Sequence, residues 1–309
     1  MVIDINAENI FNKLSEEAAR LGCRVQKDAP LSSVTSFKIG SECAVLIEPE
    51  KVSQIRPLLA FIKENNIPYI ILGNGTNVLA PDERLEKAVI KIGDLMADIR
   101  LIDESTVYCS AGTKLVSLCK FALEHSLSGL EFAFGIPGTL GGAIFMNAGA
   151  YGGEIKDVLH EISHITDNLK EETVPAESAH LSYRYSDYKK NGCIITGAVL
   201  RLRKADKEEI KAAMDDFLFR RKDKQPLEYP SAGSTFKRPA TGYAGALIEQ
   251  CNLKGKSIGG AQVSEKHAGF VINKGGATAN DVTELIDLIK KTVETQTGVS
   301  LEPEVIILR

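Results

Sequence analysis

Apolar residues recur at helical spacing at Ile10, Leu14, Ala18 and Leu21, and Gly22 closes the run, so the pattern predicts an N-terminal helix. The unbroken apolar run Ala44–Ile47, stopped near Pro49, predicts a strand. Ser53 stands where it could cap a helix carrying Ile55, Leu58, Leu59 and Ile62 on one face. Tyr69–Leu72 and Val89–Ile92 predict two more strands, giving a βαβ-like unit. Val107–Ser110 starts a second segment, followed by a helix with Leu115, Leu118, Cys119 and Ala122, then strands near Ile162–Ile165 and Ile194–Leu202. A third segment opens with a helix over Lys207–Arg221, with Ile210, Met214 and Phe217 on one face. Gly269–Ile272 reads as a buried strand, and Thr278–Thr295 as a long amphipathic helix with Val282, Leu285, Ile286, Ile289 and Val293 on its apolar side. Val305–Leu308 reads as a last strand. Both periods run through the whole chain, which predicts an α+β fold in three parts: residues 1–95, 96–205 and 206–309.

Two segments break this pattern with glycine. Residues 133–153 hold seven: Gly135, Gly138, Gly141, Gly142, Gly149, Gly152 and Gly153. Each glycine costs chain entropy when it is fixed, so this density is read not as core packing but as letting the backbone come close to something or take positive φ. A row of exposed backbone N–H groups is a cradle for an anion such as a pyrophosphate. Gly73-Asn74-Gly75-Thr76-Asn77-Val78-Leu79 follows a predicted strand and points the same way. Two such loops, about sixty residues apart, suggest one extended diphosphate held between two lobes. The first loop is neither a Rossmann fingerprint, because Val78 stands where GxGxxG needs glycine, nor a GxxxxGK[ST] loop.

Net charge is −4, with no long basic run, which argues against a nucleic-acid partner. No apolar stretch reaches membrane-spanning length, and Met1–Asn6 lacks the pattern of a signal peptide. Six scattered cysteines without a CxxC read as free thiols in a reducing cytoplasm. His125, His160, His164, His180 and His267 do not cluster, so no metal site is expected.

Five motifs in order over roughly residues 35–308 give the chain its resemblance: Gly73–Leu79; Ile136–Ile144 with Asn147–Gly152; Tyr183-Arg184-Tyr185-Ser186; Ser231–Pro239; and Leu301-Glu302-Pro303-Glu304-Val305. Together they resemble the UDP-N-acetylenolpyruvoylglucosamine reductase family. The first two loops alone would indicate only the wider class of FAD proteins related to vanillyl-alcohol oxidase. The resemblance implies a two-lobed FAD-binding module of that type plus a C-terminal α+β substrate domain. It implies FAD as cofactor, NADPH as co-substrate, and a UDP-sugar enolpyruvyl ether as the small-molecule substrate. Neither loop contains His or Cys, so the FAD is expected to be non-covalent. No separate nicotinamide fingerprint is visible, which agrees with one site used by NADPH and sugar in turn.

By the resemblance, the cofactor positions are Gly73, Asn74, Gly75, Thr76, Asn77 and Val78, then Gly138, Thr139, Gly141, Gly142 and Ala143, and then Asn147, Gly149 and Ala150. Ser234 would donate a proton to carbon, Arg184 would hold the substrate carboxylate and the developing enolate, and Glu304 would orient or share a proton with the enolate system. Tyr183, Lys224 and Lys237 would contact substrate. Plainer readings stand beside these: Ser234 as a turn hydroxyl bonded to local backbone, Arg184 as a solvated arginine among tyrosines, and Lys224 as one charge of a solvated run. Glu302 is expected to be the surface carboxylate of its pair. Arg184 and Ser234 are only fifty positions apart, which resembles the branch lacking an additional tyrosine loop, so no lid tyrosine is assigned. An FAD-dependent alcohol or sugar oxidase on the same scaffold is the alternative; it leaves the Ser234 and Glu304 motifs without a purpose.

Overall fold

The computed structural model describes residues 5–309, with side chains described from residue 9 onward. The expectation that Met1–Asn6 is not a signal peptide falls largely outside the described residues. The chain divides into two compact units. The first comprises residues 1–28, 44–74 and 86–219; the second comprises 29–43, 75–85 and 220–309.

The first unit holds two sheets on one continuous apolar core. The helix Ile5–Arg20 buries Leu14 and Ala18 completely, and Gly22 ends it with a positive φ of 84°, a value that favours glycine. A four-stranded sheet takes the order Arg24–Pro30, Glu42–Glu48, Leu85–Lys91, Tyr69–Leu72. Its last two strands are parallel, with Ile70 opposite Val89. The helix Val52–Glu64 buries the four apolar residues foreseen for it. Its start differs from expectation. Ser53 lies inside the helix, and the Gln54 side chain caps it by accepting the N–H groups of Glu50 (2.7 Å) and Lys51 (2.9 Å).

The second sheet is antiparallel throughout: Glu171–Pro175, Leu159–Ile165, Ile194–Arg201, Thr106–Ser110 and Ile99–Leu101. The helix Leu115–Glu124 buries Leu115, Leu118, Cys119 and Ala122, as its spacing predicts. Both sheets lie mainly in the first unit.

The second unit is built on the strands Ser257–Ile258, Ala261–Val263 and Val271–Asn273 and the long helix Ala279–Thr297. That helix buries Val282, Leu285, Ile286, Ile289 and Val293, and the Thr278 hydroxyl caps it by accepting the Asp281 N–H at 3.0 Å. The contiguous segment 206–309 expected for this domain is redrawn in two ways. Its boundary moves to residue 220, inside the helix Lys207–Lys224, and two earlier segments join it. The physical reasons are specific. Val78–Leu79 pairs in parallel with Ile306–Ile307. The Asp82 carboxylate accepts the N–H groups of Ala279 (2.7 Å) and Asn280 (2.9 Å) at the start of the long helix. Phe37, Ile39 and Leu79 are buried in the second unit's core.

Candidate functional site

The loop after Tyr69–Leu72 leaves a row of backbone donors. Among the described residues, no protein acceptor takes the N–H of Asn74, Gly75 or Thr76. Gly75 is buried and its neighbours are half-buried, and an unmatched N–H in such a place is costly unless a ligand or water oxygen meets it. A diphosphate fits that row. Gly75 is required for a second reason: its φ is +62°, and a Cβ there would lie 2.2 Å from the Val34 carbonyl oxygen.

Within the first unit, Gly73 and Asn74 at the start of the first glycine loop meet the second. The Asn74 amide donates to the Pro137 carbonyl at 2.9 Å, and a Cβ on Gly73 would lie 2.7 Å from Thr139 Oγ1. Thr139 starts the short helix Leu140–Met146, whose first N–H groups are already used: Leu140 donates to Thr113 O and Gly141 to Ala111 O, both at 2.9 Å. The glycines of this stretch then divide. Gly138 and Gly142 are uncrowded, since a Cβ there would make only ordinary contacts, at 4.0 Å from Leu115 and 3.5 Å from Thr139. At Gly141 a Cβ would lie 3.0 Å from Ala111 Cβ, at Gly149 it would lie 2.6 Å from Gly153 O, and at Gly153 it would lie 2.6 Å from the Phe132 ring. The reading that this glycine density does not serve packing is therefore corrected. Part of it is close packing of the chain on itself.

Gly149–Ala150 and Gly153–Glu154 form a small antiparallel hairpin, with Tyr151 (φ 52°) and Gly152 (φ 88°) at its tip. The Tyr151 ring stacks on Phe217 at 4.7 Å. Asn147 is fully buried in left-handed conformation. Its amide donates to Glu154 Oε2 (3.1 Å) and Ser182 O (3.0 Å), and its Oδ1 accepts the Lys156 N–H (3.2 Å). That side chain is committed to shaping the loop. Ala143 and Val78 are buried in the core, so their side chains serve packing, while Ala150 is half-buried.

Arg184 lies at the tip of a tight turn in which Ser182 and Tyr185 exchange two backbone bonds of 3.0 Å. Its φ is +55°, in the left-handed region that non-glycine residues adopt infrequently. Its guanidinium donates to the Gly149 carbonyl at 3.2 Å and lies 5.2 Å from the ring centre of the exposed Tyr183. Lys189 donates to the Arg184 carbonyl at 2.8 Å. Arg184 is thus braced against the glycine hairpin, which the plainer reading of a solvated arginine does not require.

In the second unit the Ser234 and Glu304 motifs come together. The Glu304 N–H donates to the Thr235 carbonyl at 2.8 Å, Lys237 N–H donates to Glu302 O at 2.9 Å, and Phe236 bridges Pro303. Thr235 fixes this pairing to the sheet, since its Oγ1 accepts the Val271 N–H at 2.9 Å. The Glu304 carbonyl also accepts the Asn77 amide at 3.2 Å, so a residue of the first glycine loop holds the C-terminal motif. Ser234 is exposed, and among the described residues its hydroxyl has no hydrogen-bond partner. The local turn bond belongs to Ser231 instead, whose Oγ accepts the Gly233 N–H at 3.4 Å. Lys237 pairs with the exposed Glu302, and Lys224 is exposed in the last turn of its helix.

Sequence reasoning passed over Thr35-Ser36-Phe37, which this unit uses as a tie. Ser36 donates its N–H to Gly75 O (2.9 Å) and its hydroxyl to Ser231 O (2.6 Å), and the Asn273 amide donates to Phe37 O (3.2 Å). No period marks such a segment, because its partners are remote in sequence. Among the described residues no group of His, Cys, Asp and Glu could hold a metal ion.

Comparison with known proteins agrees with both halves. Residues 43–169 match the FAD binding domain, and residues 225–308 match the UDP-N-acetylenolpyruvoylglucosamine reductase C-terminal domain. The reductase of Syntrophomonas wolfei is 44% identical over 91% of this chain and 94% of its own length. That of Caldanaerobacter subterraneus subsp. tengcongensis is 45% identical over 98% and 99%. The crystal structure of the Thermus caldophilus reductase superposes with a TM-score of 0.78 at 32% identity, covering 93% of this chain and all of that one. An FAD-binding domain with acceptor-free loop donors, followed by the reductase's own C-terminal domain with its serine and glutamate motifs paired, places this chain in the UDP-N-acetylenolpyruvoylglucosamine reductase family.

Proposed function

We propose that Arg184, Ser234 and Glu304 carry the chemistry of this chain's reaction. That reaction is the NADPH-dependent reduction of UDP-N-acetylglucosamine enolpyruvate to UDP-N-acetylmuramate, a step in peptidoglycan precursor synthesis, through FAD. The flavin, when bound, supplies the redox chemistry by relaying a hydride from NADPH to the β-carbon of the enolpyruvyl ether. The residues then manage charge and protons. Arg184 offers a planar, multi-donor fork for the substrate carboxylate and for the negative charge that spreads into it. Ser234 gives its hydroxyl proton to the α-carbon, and Glu304 orients or shares a proton with the enolate. Tyr183, Lys224 and Lys237 contact the sugar nucleotide. The backbone donors of Asn74, Gly75 and Thr76 hold the flavin diphosphate, and uncrowded Gly138 and Gly142 serve the cofactor from the second glycine loop.

The observation that carries this reading is the hydroxyl of Ser234, free of any local bond, beside a backbone pairing of Thr235 with Glu304. The oxidase alternative leaves the Ser234 and Glu304 motifs unaccounted for. The reaction takes place in the cytoplasm with small molecules and without nucleic acid or membrane insertion. Two features favour this: the six cysteines are free, and among the described residues no helix is long and apolar enough to cross a membrane.

The test is a steady-state assay joined to acid precipitation. NADPH should be consumed only when the enolpyruvyl sugar nucleotide is present, and precipitation should leave FAD in the supernatant. Peroxide production from an alcohol or sugar would favour the oxidase. A coloured pellet would mean covalent flavin.

A further inference from the structure

The proton donor sits on a turn whose flanks, Ser231 and Thr235, are tied to Ile272, Gly269 and Val271, but whose tip has little of its own to hold it. Ser234 is exposed, Gly233 before it has a φ of +78°, and the one side-chain bond inside the turn, Gly233 N–H to Ser231 Oγ, is long at 3.4 Å. The firm side-chain contact comes from a residue 195 positions earlier: the Ser36 hydroxyl donates to the Ser231 carbonyl at 2.6 Å. The same residue is fixed at its other end, where its N–H donates to Gly75 O at 2.9 Å. Its neighbours are fixed too. The Val34 carbonyl fills the space where Gly75 would carry a Cβ, and Phe37 O receives the buried Asn273 amide at 3.2 Å. One short segment therefore touches both the flavin phosphate loop and the serine turn.

We infer that Ser36 is a positioning residue: its hydroxyl registers the Ser231–Ser234 turn against the loop at Gly75, and so sets where the Ser234 proton is delivered. This rests on the assignment of Ser234 as proton donor. A donor displaced by about 1 Å loses on the order of 100-fold in rate, because proton transfer to carbon requires aligned, near-contact geometry. Flavin reduction by NADPH needs no proton from Ser234, and the Ser36 bond to Gly75 comes from the backbone, so the side chain can be altered without loosening the phosphate loop.

The test is stopped-flow measurement of both half-reactions in the FAD-loaded enzyme. Ser36→Ala should slow flavin reoxidation by the enolpyruvyl sugar by about 10–100-fold. NADPH-dependent flavin bleaching and FAD content should stay near those of the unaltered enzyme. Ser36→Thr keeps the hydroxyl and should recover most of the rate. Ser36→Ala combined with Ser234→Ala should be no slower than Ser234→Ala alone, because a residue acting through another is not additive with it. Should the alanine variant not fold, Ser36→Cys, similar in size but a weaker donor, is read by the same two traces and should reoxidise more slowly. The inference is overturned by reoxidation at the unaltered rate in these variants, by full multiplication of the two effects, or by loss of FAD in Ser36→Ala. Reoxidation of Ser234→Ala at full speed would instead remove the proton-donor assignment itself.

Discussion

Replacing Gly141 and Gly142, adjacent in sequence, should have opposite effects. A Cβ at Gly141 would lie 3.0 Å from Ala111 Cβ and 3.2 Å from its carbonyl oxygen. Ala111 cannot withdraw. It is buried, its N–H donates to Thr196 O at 3.0 Å, and its carbonyl accepts the Gly141 N–H at 2.9 Å. Overpacking against fixed backbone costs about 1–3 kcal/mol, and a β-branched side chain at an unyielding contact belongs at the upper end. For a domain of about 150–250 residues, 1 kcal/mol corresponds to about 2–4 °C, so Gly141→Val should lower the melting temperature by about 6–12 °C. At Gly142 the nearest atom to a new Cβ is Thr139 Oγ1 at 3.5 Å, an ordinary contact. In flavin-free protein Gly142→Ala should therefore keep the melting temperature or raise it, with a stabilisation of up to about 1 kcal/mol from helix propensity, while the variant's flavin occupancy falls. Thermal melts read alongside visible absorbance separate the two quantities. Gly141→Val melting like the unaltered chain, or Gly142→Ala melting as low as Gly141→Val, would refute the division of these glycines into packing and approach.

Two further outcomes concern the second unit. Burial holds the His267 imidazole below its usual range, Lys254 adds to that and Glu249 opposes it, and the neutral Nδ1 accepts the Gly269 N–H at 3.1 Å. The unfolded chain then binds the proton more readily, so the stability this ring contributes is full above the ordinary histidine range and is lost as pH falls through it. The loss of melting temperature on acidification should shrink in His267→Asn, and an unchanged acid profile would contradict this. Asp82→Ala removes two charge-assisted bonds from the start of the helix Ala279–Thr297 and should cost about 1–2 kcal/mol in denaturant unfolding, partly restored in Asp82→Asn. An unchanged unfolding midpoint would show that the cap carries no stability.

What could be read from the residues depended on how local the cause was. Tyr69–Leu72 is found at its expected bounds because an apolar run between Pro68 and Gly73 leaves it no other form. The long helix starts where Thr278 and Asp281 cap each other, a signal contained in four residues. The strand Arg24–Pro30 was missed, because its side chains are mostly exposed and polar and show no alternation. The cap at Gln54 was assigned to Ser53 because both types satisfy helix starts, and only the approach of the chain at Glu50 and Lys51 decides between them. The order of the motifs indicated the serine and glutamate, but not that Thr235 and Glu304 are bonded through their backbones. Whether a glycine faces a ligand or a neighbouring carbonyl depends on atoms remote in sequence, so Gly141 and Gly142 read alike until the fold separates them. The joining of residues 29–43 and 75–85 to the C-terminal unit has the same origin, in bonds such as Ser36 to Ser231.

The account rests most on Ser234 as a proton donor used in one half of the cycle only. The direct measurement is stopped-flow kinetics of Ser234→Ala, each half-reaction taken alone. Bleaching of the flavin by NADPH should run nearly as in the unaltered enzyme, while reoxidation by the enolpyruvyl sugar nucleotide should slow by about 10²–10⁴-fold, the loss typical of a positioned general acid. Reoxidation at the unaltered rate would contradict the account and leave Ser234 as a turn residue.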